Sequence, residues 1–408
     1  MMSECDTLST ADQITIAWLI AGHEGYGIAR ALFNLGDELQ KRGWRTIVIA
    51  MQDGELTRVC RVHGYEVITL GIEPPPNLSG STARRMVKYL RLLNVNRRAR
   101  KPLIETLRRE GVDLLHVMLP TLVRLAGLAA RGSGAACVWE MAGCVGRRVP
   151  FRLNQRIYQN VCARYGILPL ANSAYTASTL GTDRVEARVF HLSADAERFD
   201  PDHVEPVRRD DLNIPPEAIV IGMVARVIRD KGQREVLQAI LGLLDHDPPV
   251  HLLLLGGVKD ASYGEGLIEI AEQAGAGERL HLVGAVDDPE RYYPIIDVAV
   301  NNCLTPEAFG LSVIEAMLMK CPMLVYALGG PAETVIDGET GWHVAEPDAQ
   351  SLQIGLKRAL DDQPRWVEMG LHARRHALAH FTTVNQADRF VAFIDELMKS
   401  RIAETPLT

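Results

Sequence analysis

Three short stretches of this sequence hold residue types and spacings suited to gripping an anion. In Ala225-Arg226-Val227-Ile228-Arg229-Asp230-Lys231-Gly232, Arg226 sits just past the apolar run AIVIGMVA (218–225) and Lys231 follows where a helix should begin. Two cations at a strand end, beside the free N–H groups and positive end of a helix, make an anion site. A solvated basic turn is the plain alternative. In PEAFGLSVIEAM (306–317), Gly310 lets the chain turn into a helix, and Leu311, Ser312 and Val313 offer backbone N–H groups to a phosphate. Glu307 falls on the loop before that turn. Glu315 falls in the first turns of the helix, where a negative charge is also favourable on dipole grounds alone. The third stretch, Gly22-His23-Glu24-Gly25-Tyr26-Gly27, is a glycine loop between a first strand and a first helix, which permits close backbone approach to phosphate or sugar. Its spacing is not G-x-G-x-x-G, and none of the ten tyrosines has a lysine four residues later, so nicotinamide chemistry of the short-chain dehydrogenase kind is disfavoured.

These residues need a frame to hold them. Short apolar runs alternate with helical stretches: ITIAWLI (14–20), TIVIA (46–50), EVITL (66–70), DLLHVML (113–119), ACVWEM (136–141) and ILPLAN (167–172). Little alternation within the runs, and helices between them, predict parallel strands covered on both faces. The polar stretch DPDHVEPVRRDDLNIPP (200–216), with four prolines, reads as a linker. The same grammar then restarts with AIVIGMVA (218–225), VHLLLLGG (250–257), RLHLVG (279–284), IDVAVNN (296–302) and PMLVYAL (322–328), and ends in helices over 351–362, 365–380 and 386–400. The prediction is an α/β chain of two doubly wound, Rossmann-like domains, 1–198 and 199–384, with a C-terminal helix of about 385–408 returning to the first. Ligands of such sheets bind beyond the strand C-termini, and the cleft between the two domains is the default site.

Taken together, the stretches resemble the retaining GT-B glycosyltransferases of the group 1 (family 4) kind. VARVIRDKG is similar to that family's Arg-x4-Lys diphosphate clamp, and PEAFGLSVIEAM to its E-x7-E signature. LGGPAETVIDGETGWHV (328–344), LPLANSAYTASTL (168–180), FHLSADAERFDP (190–201) and the GYGIAR loop resemble further segments of it. The resemblance implies a GT-B fold and metal-independent transfer of a hexose from a nucleotide-diphosphate sugar to a hydroxyl acceptor, a glycan or a lipid-linked saccharide, in polysaccharide biosynthesis. It implies that Arg226, Lys231 and the N–H groups of Leu311, Ser312 and Val313 hold the leaving diphosphate. It also implies that Glu315 takes the ribose hydroxyls, Glu307 lies by the donor sugar, Val286 borders the base and Gly27 lies near the donor. No cofactor or metal is implied. A sugar-nucleotide-binding protein without turnover and a GT-B epimerase are the competing readings. The first is motivated by departures on the acceptor side: Ala142 and Met118 stand where the family often has histidine, and Leu192-Ser193-Ala194-Asp195 replaces its usual linker motif.

Composition sets the remaining bounds. With 408 residues, 47% hydrophobic and 23% charged, the chain has material for two cores, and a formal charge of −7 does not suit a nucleic-acid-coating protein. Seven widely spaced cysteines without C-x-x-C read as free thiols of a reducing compartment. The N-terminal MMSECDTLSTADQ has no Lys or Arg and the apolar run after it is short, so a cytoplasmic location is expected, with any membrane contact peripheral. Residues 82–109 hold ten Lys or Arg and one acid, Glu105, with Met86, Tyr89, Leu90 and Leu93 at helical spacing. That face is either a core-facing stripe with a solvated basic back or a peripheral contact with anionic lipid. Asp245-His246-Asp247 and Asp200-Pro201-Asp202 match the Asp-x-Asp form of a metal site but lie among prolines, away from any strand end that binds nucleotide. His116 ends an apolar strand and reads first as a satisfied core histidine.

Overall fold

The computed structural model describes residues 14–76, 82–146 and 152–404. The N-terminal segment read above for a secretory leader lies outside them. Contacts divide the chain into two compact units. One runs to Ala171 and takes in Ala177–Val189; the other is Asn172–Thr176 together with Phe190 onward. The helix Thr383–Glu404 is grouped with the second unit.

The first unit carries a seven-stranded sheet built from β1 (Thr15–Ile20), β2 (Arg45–Ala50), β3 (Glu66–Thr69), β4 (Leu114–Val117), β5 (Ala136–Met141), β6 (Ile167–Ala171) and β7 (Arg188–Val189). Its order is β3-β2-β1-β4-β5-β6-β7 with every pair parallel. All six residues of β1 are buried, as a central strand covered by helices on both faces requires. The helix Tyr26–Lys41 turns Leu32, Leu35 and Leu39 into the core at three- and four-residue spacing and stops at Arg42, before Gly43 at φ +85°.

The basic helix Thr82–Arg109 bears on the two readings of its apolar face. Its core stripe is Leu92, Asn96, Ala99, Leu103 and Leu107, all buried. Tyr89 and Leu90 are 37% and 59% exposed, so the stripe named from the sequence does not serve as the core face, and Val87 at 53% is exposed beside them.

The second unit holds β8 (Ile219–Val224), β9 (Val250–Leu255), β10 (Leu280–Gly284), β11 (Val298–Asn301), β12 (Met323–Tyr326) and β13 (Gly341–Val344). The order is β10-β9-β8-β11-β12-β13, again all parallel. Chain order reverses between β8 and β11, so the crevice past their C-terminal ends is the switch point at which doubly wound sheets bind ligands. Arg226 follows β8 by two residues and Glu307 follows β11 by six. Lower in the sheet, Gly222 of β8 lets the segment before β11 pack closely: a Cβ there would sit 2.3 Å from Cδ1 of Ile296. Two strands, β7 and β13, went unnamed in the sequence reading. The first is two exposed residues. The second begins at Gly341, whose added Cβ would lie 2.0 Å from the Met323 carbonyl oxygen, so only glycine lets the edge strand approach β12.

Candidate active site

The turn after β8 is held from three sides. Arg229–Lys231 form a single 3-10 turn, Gly232 follows at φ +74°, and the helix Gln233–Leu241 begins. The buried Gln233 donates from Nε2 to the carbonyl oxygen of Arg226 at 2.9 Å, tying the two ends of the turn together. A Cβ on Gly232 would fall 2.3 Å from the carbonyl oxygen of Asn302, so glycine is what lets this turn pack on the loop after β11. The N–H of Leu304 donates to the Asp230 carbonyl at 3.0 Å across the same contact. Arg226 itself is exposed, and among the described residues its guanidinium has no hydrogen-bond or ion-pair partner. A cation held at its backbone and unpaired at its head is arranged to meet an anion from solution.

Lys231 is brought onto Glu307. Nζ lies 2.6 Å from Oε1, and the two side chains are 19% and 21% exposed. Oε2 of the same carboxylate accepts from Asn301 Nδ2 at 2.7 Å and from the Cys303 thiol at 3.1 Å. Lys231 also donates to Cys303 Sγ at 3.2 Å. Burial alone would lift the Glu307 pKa; the Lys231 charge and the hydrogen bonds from Lys231, Asn301 and Cys303 outweigh it and hold the carboxyl below its ordinary value. Burial pulls Lys231 down, and the Glu307 charge more than restores it, so the ammonium titrates above its usual range. The Cys303 thiol is pushed up to about 12 by burial and by Glu307, which keeps it protonated as a donor.

The helix that follows, Leu311–Leu318, starts at Gly310 with φ +87°. The strain-free glycine turn was legible; one detail was not. The N–H of Val313 donates to the Gly310 carbonyl at 3.0 Å, so of the three amides expected to face a phosphate, only those of Leu311 and Ser312 stay open to one. Both residues are half-buried. Glu315, expected at a nucleotide, is 6% exposed and accepts from the buried Tyr293 hydroxyl at 3.2 Å. Gly329 and Gly330 press against the Glu307 loop from β12. The Gly330 N–H donates to the Glu307 carbonyl at 2.9 Å, and a Cβ on Gly330 would fall 2.4 Å from the Ala308 oxygen. The loop therefore lies between two glycine contacts, at Gly232 and at Gly329-Gly330. Sequence reasoning passed over Asn301, Cys303 and Gln233. The one signal for the first two was the polar pair Asn301-Asn302 ending an otherwise apolar strand.

The other expected residues stand on other elements. Val286 is half-buried two residues past β10. Gly27, on the first unit, is exposed in the first turn of its helix, and a Cβ there would meet nothing within 4 Å beyond its own turn. His116 is buried in the first unit at 2.9 Å from the buried Glu140, as a core residue. Asp200 pairs with Arg374 at 2.8 Å and His203 at 2.9 Å, and Asp202 with Lys320 at 3.0 Å. Among the described residues, no group of three or more His, Cys, Asp and Glu side chains is placed to hold a metal ion.

Comparison with known proteins follows the same lines. Residues 204–376 match the family model described as glycosyl transferases group 1. The chain is 30% identical over 221 residues to a D-inositol 3-phosphate glycosyltransferase of Corynebacterium urealyticum, 52% of each chain. It is 29% identical over 199 residues to the lipopolysaccharide 1,2-N-acetylglucosaminetransferase of Salmonella typhimurium, 47% of this chain and 51% of that one. The chain thus spans about half the length of the curated relatives it matches. In fold it is similar to Anabaena Alr3699/HepE, solved in complex with UDP, with a TM-score of 0.77, 18% identity, and coverage of 94% of this chain and 100% of that one. Residues 204–376 thus match the group 1 glycosyltransferase family, and the chain as a whole shares the GT-B fold.

Proposed function

We propose that this protein is a retaining hexosyltransferase that moves a sugar from a nucleotide-diphosphate donor to a hydroxyl acceptor without a metal. The observation that carries the proposal is the Lys231–Glu307 pair, 2.6 Å apart beside the helix that opens at Gly310. Breaking a glycosyl–diphosphate bond leaves negative charge on the departing phosphate. Arg226, the remaining N–H of Lys231 and the amides of Leu311 and Ser312 are preorganised donors for that charge, and one such donor is worth about 3 kcal/mol. Glu307, ionised at neutral pH, binds donor-sugar hydroxyls and stabilises positive charge at the anomeric carbon. Glu315 takes the ribose hydroxyls, Val286 borders the base and Gly27 approaches the donor. The acceptor oxygen bonds to the anomeric carbon on the face the diphosphate leaves, and a phosphate oxygen takes the acceptor's proton.

The relatives' names, an inositol-phosphate and a lipopolysaccharide transferase, suggest a phosphorylated polyol or a lipid-linked saccharide as acceptor. The test pairs thermal shift with turnover. UDP, GDP and ADP are each added with their hexose derivatives. The fitting nucleotide should stabilise the protein by about 2.7 kcal/mol at a hundred times its Kd, and its sugar should be transferred to one of the two acceptor classes. A melting shift with no transfer or donor hydrolysis would favour a binding protein without turnover; no shift with any nucleotide would refute the proposal.

A lipid-linked acceptor would bring the enzyme to an anionic surface, and the helix Thr82–Arg109 has the face for it. Val87, Tyr89 and Leu90 are exposed among the exposed Arg84 and Arg91. Each cation near such a surface adds about 1 kcal/mol. The protein should float with anionic liposomes at low salt, and Leu90→Glu should release it; a wild-type protein that stays at the bottom of the gradient excludes this contact.

A further inference from the structure

A carboxylate offers roughly four acceptor positions, two on each oxygen, and an ammonium offers three donors. At Glu307 that inventory is nearly full. Oε2 accepts from Asn301 Nδ2 at 2.7 Å and from Cys303 Sγ at 3.1 Å. Oε1 accepts only from Lys231 among the described residues. Lys231 gives one donor to Oε1 and one to Cys303 Sγ at 3.2 Å. One acceptor position on Oε1 and one N–H of Lys231 remain, next to each other. Asn301 and Cys303 are 6% exposed each; Asn301 is the last residue of β11, and Cys303 lies two residues past it, buried at the root of the loop.

We infer that Asn301 and Cys303 are positioning residues that fill Oε2 of Glu307 and leave Oε1, beside Lys231, as the oxygen that meets the donor. The inference rests on the glycosyltransferase reading for what Oε1 meets, but not for the geometry. Facing a carboxylate, the Asn301 amide must present nitrogen, since oxygen would set acceptor against acceptor. Without these two donors the carboxylate is free to swing Oε2 toward Lys231 and into the ligand space, pairing both oxygens with the one cation.

The test is Asn301→Asp, which keeps the shape and replaces the donor with a second carboxylate. Two carboxylates sharing one site cannot both ionise readily, so the pair titrates at a higher pH. The Glu307 side-chain carboxyl is followed by carbon NMR with labelled glutamate, its signal identified by loss in Glu307→Gln. In wild type it should titrate below the ordinary glutamate range, and in Asn301→Asp it should move up by about a unit or more. In parallel, kcat should fall about tenfold with the donor KM nearly unchanged, and the acid limb of the pH profile should move the same way. Cys303→Ser, which keeps a donor, should stay near wild type; Cys303→Ala should not. A Glu307 titration unmoved in Asn301→Asp overturns the inference. Absence of transfer by the wild type would instead remove the glycosyltransferase reading, and the NMR titration would still decide the positioning role.

Discussion

Lys231→Ala is expected to lower transfer by about two to three orders of magnitude, the loss seen when one preorganised donor to a developing anion is removed. Nucleoside diphosphate binding should weaken with it, because the remaining N–H of Lys231 is one of the charges a diphosphate meets. The substitution also leaves Glu307 half-buried without its cation. Breaking such a pair on one side costs on the order of 2–3 kcal/mol here, toward the low end for buried pairs because about a fifth of each side chain still meets solvent. The pH dependence carries the sign. In the wild type the Glu307 pKa is depressed, so its contribution to stability is present above the unfolded glutamate value and is lost as pH falls through the folded one. Lys231 is raised, so its contribution is present below its unfolded value and is lost as pH rises through the folded one. With Lys231 gone, burial is opposed only by the hydrogen bonds from Asn301 and Cys303, and the Glu307 pKa rises from its wild-type position. The variant should then lose stability, relative to wild type, as pH rises from acid toward neutral. A melting-temperature series from pH 4 to pH 8 reads this directly. A Lys231→Ala protein with full turnover, or with a constant offset across that range, would remove the pair from both catalysis and the stability account.

Much of this site was legible because the physics that places it is local. Gly310 at positive φ, a helix start behind it and a carboxylate three residues before it are visible as letters, as are Arg226 and Lys231 flanking a strand-to-helix turn. The strands were legible for a similar reason: β9, VHLLLL, is buried at all six positions, and a run of that length and composition has few other uses in an α/β chain. What stayed hidden depends on how short loops fold back on themselves. Asn301 and Cys303 meet Glu307 only because the chain doubles back after β11, and Gln233 meets Arg226 only because a 3-10 turn shortens the path between them. The Val313 amide was expected to be open because a helix leaves its first amides unpaired; a tight first bond to Gly310 closes it, a geometric detail on which propensity says nothing. Of the two readings of the helix Thr82–Arg109 the core-facing one fails, because Leu92, Ala99 and Leu103, not the apolar residues nearer its start, meet the core.

Glu307→Gln separates the roles that Lys231→Ala removes together. Glutamine has the same shape, no charge and a single oxygen. If that oxygen faces Lys231, the amide nitrogen faces the donors of Asn301 and Cys303; if it faces them, the nitrogen faces an ammonium. Either orientation sets donor against donor, at roughly 1–3 kcal/mol. Transfer should fall about a thousandfold, since neither orientation leaves a negative oxygen beside the anomeric carbon. Nucleoside diphosphate binding should move the other way. Lys231, no longer neutralised at 2.6 Å, presents its full charge to the phosphates, so the diphosphate should bind at least as tightly as to wild type. Calorimetry with the nucleoside diphosphate, run beside a single-turnover transfer assay on the same preparation, measures both. Tight binding with collapsed transfer assigns Glu307 to the sugar and Lys231 to the diphosphate. Joint loss of the two would mean that Glu307 acts only by holding Lys231 in place, and retained transfer would end the case for a carboxylate at the reacting carbon.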